Sequence, residues 1–152
     1  MCTETSYVEL VDQPICMETL KSKIANPDAG AHGWFLGVTR RTTGSRITET
    51  LHYEAHDAMA RRELNKLAER AVREFSLLHV VIVHRIGEVP ISEASVAVGC
   101  SSPHRPDTFA ALQWIMDMLK KEVPIWKRER YCDGQTEWVH PGMNPDPRGD
   151  NE

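Results

Sequence analysis

Apolar residues recur every three to four positions through "DAMARRELNKLAERAVREF" (57–75). Leu64, Leu67, Ala68, Ala71, Val72 and Phe75 share one side, while Arg61, Lys66, Glu69 and Arg73 lie elsewhere. That period predicts an amphipathic helix. A second helix is predicted over "PDTFAALQWIMDMLKKEV" (106–123), with Pro106 in its first turn and Pro124 ending it. Its core stripe is read as Phe109, Leu112, Met116, Leu119 and Val123. "METLKSKIANPDAG" predicts a short helix stopped by Pro27 and Gly30.

Other stretches have strand character. They are "SYVELVDQPI", "GWFLGVTR" (33–40), "HVVIVHRIG" and "ASVAVGCSS", the last two joined by a link, "EVPISE". "ITETLHYE" (47–54) alternates, which places Ile47, Leu51 and Tyr53 on one face, and "RTTGSR" connects it to the preceding strand. "PIWKRERY" and "TEWV" can pair around "CDGQ", whose Asp-Gly is a turn signal. Hairpin-length links between neighbouring strands favour a mixed α+β layer over a doubly wound parallel sheet. With no internal repeat and no linker, residues 1–140 are expected to form one domain. The Pro-, Gly- and Asp-rich stretch 141–152 is expected to be a flexible tail.

The 152 residues are 41% apolar and 26% charged, enough for a real core in a soluble chain, and the formal net charge is −4. An acidic total argues against a general nucleic-acid binder, so local basic clusters matter more than the sum. Cys2, Cys16, Cys100 and Cys132 are scattered without a C-x-x-C pair, which suits free thiols rather than a zinc site or a disulfide framework. No signal peptide is apparent at the N-terminus, and no apolar run approaches the ~18 residues of a membrane span. A cytoplasmic location without membrane contact is the expectation.

The densest basic stretch is "LKKEVPIWKRERY" (119–131), which carries Lys120, Lys121, Lys127, Arg128 and Arg130. Lys120 and Lys121 fall in the last turn of a predicted helix, where the dipole alone is reason enough for a cation. Lys127 and Arg128 lie beyond Pro124 on an extended segment, where alternation sends them to opposite faces. Trp126 suits a packing anchor better than a stacking platform. "SSPHRPD" joins a strand to a helix start, so His104 and Arg105 are either anion donors beside free backbone N–H groups or ordinary loop residues. Arg40 and Arg41 follow a strand, as binding residues or solvated ones do alike.

Three further groupings are weaker. His52, Glu54 and His56 alternate along one strand, but lack a fourth metal ligand. His84-Arg85 sits within a strand and suits a cross-strand or core-edge role. Cys100 near His104 is better read as a buried strand thiol than as a nucleophile.

Four segments, "GWFLGVTR", "HVVIVHRIGEVPISEASVAVGCSSPHR", "FAALQWIMDMLKK" and "VPIWKRE", together resemble the large, catalytic subunit of molybdopterin synthase in order and spacing. The resemblance spans roughly residues 30–139. It implies an α/β-hammerhead-like mixed sheet with helices and a small added antiparallel β element. It also implies a homodimer at the centre of a heterotetramer, each end holding a small ubiquitin-like sulfur-carrier subunit. That partner's C-terminal Gly-Gly thiocarboxylate would give sulfur to cyclic pyranopterin monophosphate, forming the dithiolene of molybdopterin. The large subunit would bring no metal or organic cofactor.

The family's substrate-binding residues map onto Val38, Thr39, Arg40, His104, Arg105, Lys120, Lys127, Arg128 and Glu129. Val38 and Thr39 would contribute backbone. Arg40, His104 and Arg105 would position the phosphate and the pterin. Lys120 is first choice for proton transfer or thiocarboxylate activation, with Lys127 beside it. Substrate phosphate and thiocarboxylate are both anionic, so a pocket joining them needs cations to offset their repulsion. The expected picture is two lysines aimed at one place opposite His104-Arg105. The rivals are a nucleotide- or nucleic-acid-binding module and a non-catalytic scaffold for the sulfur carrier.

Overall fold

The computed structural model describes residues 4–139. Cys2 and the tail expected over 141–152 lie outside the described residues. The chain runs β1 (Ser6–Val11), α1 (Met17–Lys21) with a 3-10 turn (Ser22–Ile24), β2 (Ala31–Val38), β3 (Thr42–Thr43) and β4 (Arg46–Ala55). It continues with α2 (Asp57–Phe75), β5 (His79–Arg85), β6 (Gly87–Pro90), β7 (Ala94–Ser102), α3 (Arg105–Glu122), β8 (Ile125–Tyr131) and β9 (Thr136–Val139).

The first sheet has the order β1-β5-β7-β2, with β1 and β5 parallel and the other pairs antiparallel. Because strand side chains alternate, each face buries its own set. Val80, Ile82, Val96, Val98 and Cys100 pack under α2 and α3, with Leu64, Leu67, Ala111, Ile115 and Leu119. Val81, Val83 and Ala97 meet Leu20 and Ile24 on the other face. Truncating a fully buried leucine such as Leu64 to Ala would cost about 2–5 kcal/mol.

The second sheet is antiparallel, in the order β3-β4-β8-β9, and β6 also pairs with β4. This is the mixed α+β layer that the strand spacing predicts, with an added antiparallel element. "EVPISE" is more than a link, since Gly87–Pro90 is itself a strand against Thr50–Tyr53.

Three side-chain expectations fail, each for a local reason. Ile47 is 55% exposed, because a register shift between Thr48 and Thr50 turns Thr48 inward in its place beside Leu51 and Tyr53. Phe109 is 70% exposed. Met116, Leu119 and Val123 of the expected stripe are buried, joined by Thr108, Ala111 and Ile115, and Thr108 is held there by a 2.6 Å hydrogen bond between its hydroxyl and that of Ser102. His56 leaves the strand and caps α2, its Nδ1 accepting from the Met59 N–H at 3.3 Å.

Candidate functional site

The "SSPHR" corner between β7 and α3 is built by close backbone approach. Gly30 donates its N–H to the Ser102 carbonyl at 3.0 Å, and a Cβ at Gly30 would stand 2.2 Å from the Pro103 oxygen. Only glycine fits there. The Ser102 hydroxyl donates to the His104 carbonyl at 2.6 Å. His104 therefore enters α3 as its N-cap residue in an extended conformation, with Arg105 in the first turn. Both are exposed and stand at the positive end of the helix dipole.

Lys120 sits in the last turn of the same helix and is half-buried. Sixteen residues at helical rise put it about 24 Å from His104. The register of β2 gives the same answer for Arg40. Ala31 pairs with Ser102 at one end and Val38 pairs with Ala94 at the other, so Arg40 lies beyond the end remote from His104. Seven strand steps separate those ends by about 23 Å. One chain thus places Arg40 and Lys120 far from His104 and Arg105. Within one chain, then, the lysines do not face His104-Arg105, and the sequence by itself leaves open which copy of a dimer supplies each residue.

Lys127 belongs with the Arg40 side. It pairs in register with Tyr53, whose ring packs edge-on against His84 at 4.9 Å. His84 pairs with Val96, and Val96 with Gly37, one residue before Val38. Two residues after Lys127 on the same strand face, Glu129 is 6% exposed and accepts from three hydroxyls. The donors are Thr43 at 2.6 Å, Thr48 at 2.5 Å and Tyr131 at 3.2 Å. The Glu129 carboxylate thereby ties the loop after Arg40 to β8. Burial, then the neighbouring Glu129 and Glu137 carboxylates, raise the Tyr131 pKa and keep its hydroxyl a donor.

Thr39 is the other anchor of Arg40. It is 2% exposed, and its hydroxyl donates to the Val89 carbonyl at 3.1 Å. Its N–H donates to the Glu93 carbonyl at 3.1 Å, and its own carbonyl accepts from Ser92 at 2.9 Å. Between two fixed threonines, Arg40 and Arg41 are exposed on an open depression shared with Val38, Ile91 and Ser92.

The remaining basic residues separate as strand alternation requires. Arg128 points away from Lys127 and lies over the Trp138 ring at 5.2 Å, while Arg130 pairs with Glu49 at 3.2 Å. Trp126 shares the Arg128 face and is 41% exposed, so it is not the buried anchor the sequence suggests. Lys121 is exposed.

His52 and Glu54 approach to 3.6 Å without His56, and no metal-binding cluster of three His, Cys, Asp or Glu is formed among the described residues. Cys100 is wholly buried, its thiol donating to the Thr108 carbonyl at 3.7 Å, and burial pushes its pKa up to about 12. A thiol so held is no nucleophile at neutral pH. No helix among the described residues is long and apolar enough to cross a membrane.

Hydrophobic periodicity passes over the threonines that fix the Arg40 loop, and over Glu93. The trace of Thr39 and Thr43 in the sequence is the run "VTRRTTGS" after an apolar strand.

The fold and its cations define the class, a mixed α+β protein with basic groups at both ends of one helix. The chain belongs to the MoaE family, for the family model described as "MoaE protein" matches residues 10–122. A molybdopterin synthase catalytic subunit from Culex quinquefasciatus is 37% identical over 137 residues, covering 88% of this chain and 87% of that relative. The crystal structure of molybdopterin synthase from Staphylococcus aureus superposes with a TM-score of 0.81 at 35% identity, covering 86% of this chain and 95% of that one. A complex of subunits 1 and 2 of molybdopterin-converting factor from Helicobacter pylori shares the fold, with a TM-score of 0.70 at 15% identity and 88% of each chain covered.

Proposed function

We propose that this chain, in the cytoplasm and as one domain over residues 1–140, is the sulfur-transferring subunit of a molybdopterin synthase. Its substrates would be cyclic pyranopterin monophosphate and the C-terminal Gly-Gly thiocarboxylate of a small ubiquitin-like partner. Family membership supports the chemistry, and the complex of two subunits in the Helicobacter pylori relative supports the partner.

The observation that carries the assignment of residues is that Arg40, Lys120 and Lys127 all lie toward the side of the fold remote from His104 and Arg105. A homodimer at the centre of a heterotetramer would let one copy's His104-Arg105 complete the pocket of the other. A two-fold axis requires that arrangement to occur twice, giving two equivalent pockets.

In such a pocket Arg40, His104 and Arg105 grip phosphate and pterin, the guanidinium forks matching phosphate oxygens. The backbone of Val38 and Thr39 would line the approach. Arg128 and Glu129 stand on β8 beside Lys127, and Glu129 contributes by holding Thr43 and Thr48. Attack by the thiocarboxylate sulfur would form a C–S bond as a C–O bond to the cyclic phosphate breaks, so negative charge builds on the departing phosphate oxygen. Fixed cations stabilise that charge more strongly where water is excluded. Water would then split the acyl–sulfur bond, leaving sulfur on the pterin and a carboxylate on the partner's tail, and a second thiocarboxylate would supply the second sulfur. Lys120 transfers the proton or activates the tail, and Lys127 stands beside it.

The test is incubation of the assembled protein with cyclic pyranopterin monophosphate and a thiocarboxylated small subunit, followed by assay for the dithiolene. Product formation supports the reading. A folded, correctly paired complex that yields none sinks it, and binding of the partner without product would indicate a scaffold.

A further inference from the structure

Arg85 ends β5 with a side chain only 10% exposed, and its Nη1 donates to the Glu93 carboxylate at 2.8 Å. Its Nε finds no hydrogen-bond partner among the described residues. A guanidinium so buried is a poor choice for stability alone, since an apolar side chain of similar size often serves better. What the ion pair does hold is a turn. Glu93 donates its N–H to the Pro90 carbonyl at 3.1 Å, and Ser92 between them adopts φ +70°, a left-handed conformation that costs a non-glycine residue. Both sides of that turn bind Thr39, through the Glu93 carbonyl and the Ser92 N–H, and Arg40 follows directly.

We infer that Arg85 is a positioning residue for substrate binding, acting through the Glu93 carboxylate and the Pro90–Glu93 turn to fix the backbone that presents Arg40. The inference rests on the assignment of Arg40 to the pterin phosphate. Removing Arg85 frees the Glu93 side chain, lets Ser92 relax from its strained conformation and loosens Thr39. Arg40 then samples more orientations, and each phosphate contact costs more ordering on binding.

The experiment is a double-mutant cycle read by calorimetric titration of cyclic pyranopterin monophosphate into the assembled protein. Native protein, Arg85→Met, Arg40→Ala and the double variant are compared, with Glu93→Gln as a milder probe. The expected result is a Kd about tenfold weaker for Arg85→Met in the native background and nearly unchanged in the Arg40→Ala background, the mark of coupled residues. Glu93→Gln should weaken binding in the same direction and in the same background only. Arg85→Lys should restore part of the affinity by keeping the charge.

Equal losses in both backgrounds would mean a general structural role and overturn the inference, as would an unchanged Kd in both Arg85→Met and Glu93→Gln. Should Arg85→Met fail to fold, as judged by circular dichroism, Glu93→Gln alone decides. If Arg40→Ala itself leaves the Kd unchanged, the assignment of Arg40 fails and carries the inference with it, which is a distinct result.

Discussion

The Thr43 hydroxyl donates a 2.6 Å hydrogen bond to Glu129 across 86 positions of sequence, joining the loop that follows Arg40 to the strand that carries Lys127. Thr48 donates to the same oxygen at 2.5 Å, so one buried carboxylate oxygen closes the corner between β3, β4 and β8. Hydrogen bonds to a charged acceptor are the stronger kind, and a donor left unmatched in the interior keeps its full desolvation cost. Glu129→Ala should therefore lower unfolding free energy by about 2–4 kcal/mol, as three hydroxyls lose one acceptor. Glu129→Gln keeps an acceptor and should lose about half as much. Urea titration measures both, and a Glu129→Ala protein of native stability would remove the carboxylate from this role.

A pocket shared between two copies predicts complementation. Arg105→Ala and Lys120→Ala damage opposite ends of α3, so each defect spoils a different half of every pocket. In a mixed dimer one pocket receives both defects and the other receives none. Random exchange makes half of the dimers mixed, so sulfur transfer should recover to roughly a quarter of the native rate, well above either parent. A mixture no better than the parents would overturn the pocket shared between two copies.

The two ends of α3 should also differ kinetically. In the proposed role Lys120 acts as charge and protons move, so Lys120→Ala should lower kcat about 10²–10⁴-fold. The phosphate contact proposed for Arg105 would be made before the reaction as well as during it, so with Arg105→Ala KM for the pterin should rise by about tenfold or more with a smaller change in kcat. Single-turnover assays with the thiocarboxylated partner separate the two. Near-normal transfer by Lys120→Ala would move proton transfer or tail activation to another residue.

Much of the fold is legible in the sequence. Leu64, Leu67 and Ala71 mark α2 because leucine and alanine at helical spacing have few other uses. Met116, Leu119 and Val123 of the expected α3 stripe are buried, but Phe109 is not, because Thr108 takes the core side through its hydroxyl, which a hydropathy pattern counts as polar. Ile47 lies off the face that alternation assigns to it because a bulge breaks that alternation. The basic residues of the site stand out in the sequence, yet their grouping does not follow from charge. The sixteen residue steps of helix from His104 to Lys120 do set the distance between them. What sequence could not supply was the anchoring of Arg40, since Thr39, Thr43, Glu93 and Glu129 meet only through pairings of strands far apart in the chain.

His84 makes stability depend on pH. Its ring is buried against Tyr53, with Nδ1 facing the Arg85 carbonyl at 2.8 Å, and burial lowers its pKa to about 4 from an ordinary 6.5. Below pH 6.5 the unfolded chain takes up this proton first, whereas the folded chain resists it. Stability is therefore fully present above 6.5, declines as pH falls and stops declining on this account below about 4. Across that window the loss is about 3 kcal/mol. Urea titrations at successive pH values should show the decline in native protein, and His84→Leu should flatten it while losing one hydrogen bond at every pH. Parallel curves for the two proteins between pH 4 and 6.5 would show that the imidazole is protonated as readily in the folded chain as in the unfolded one.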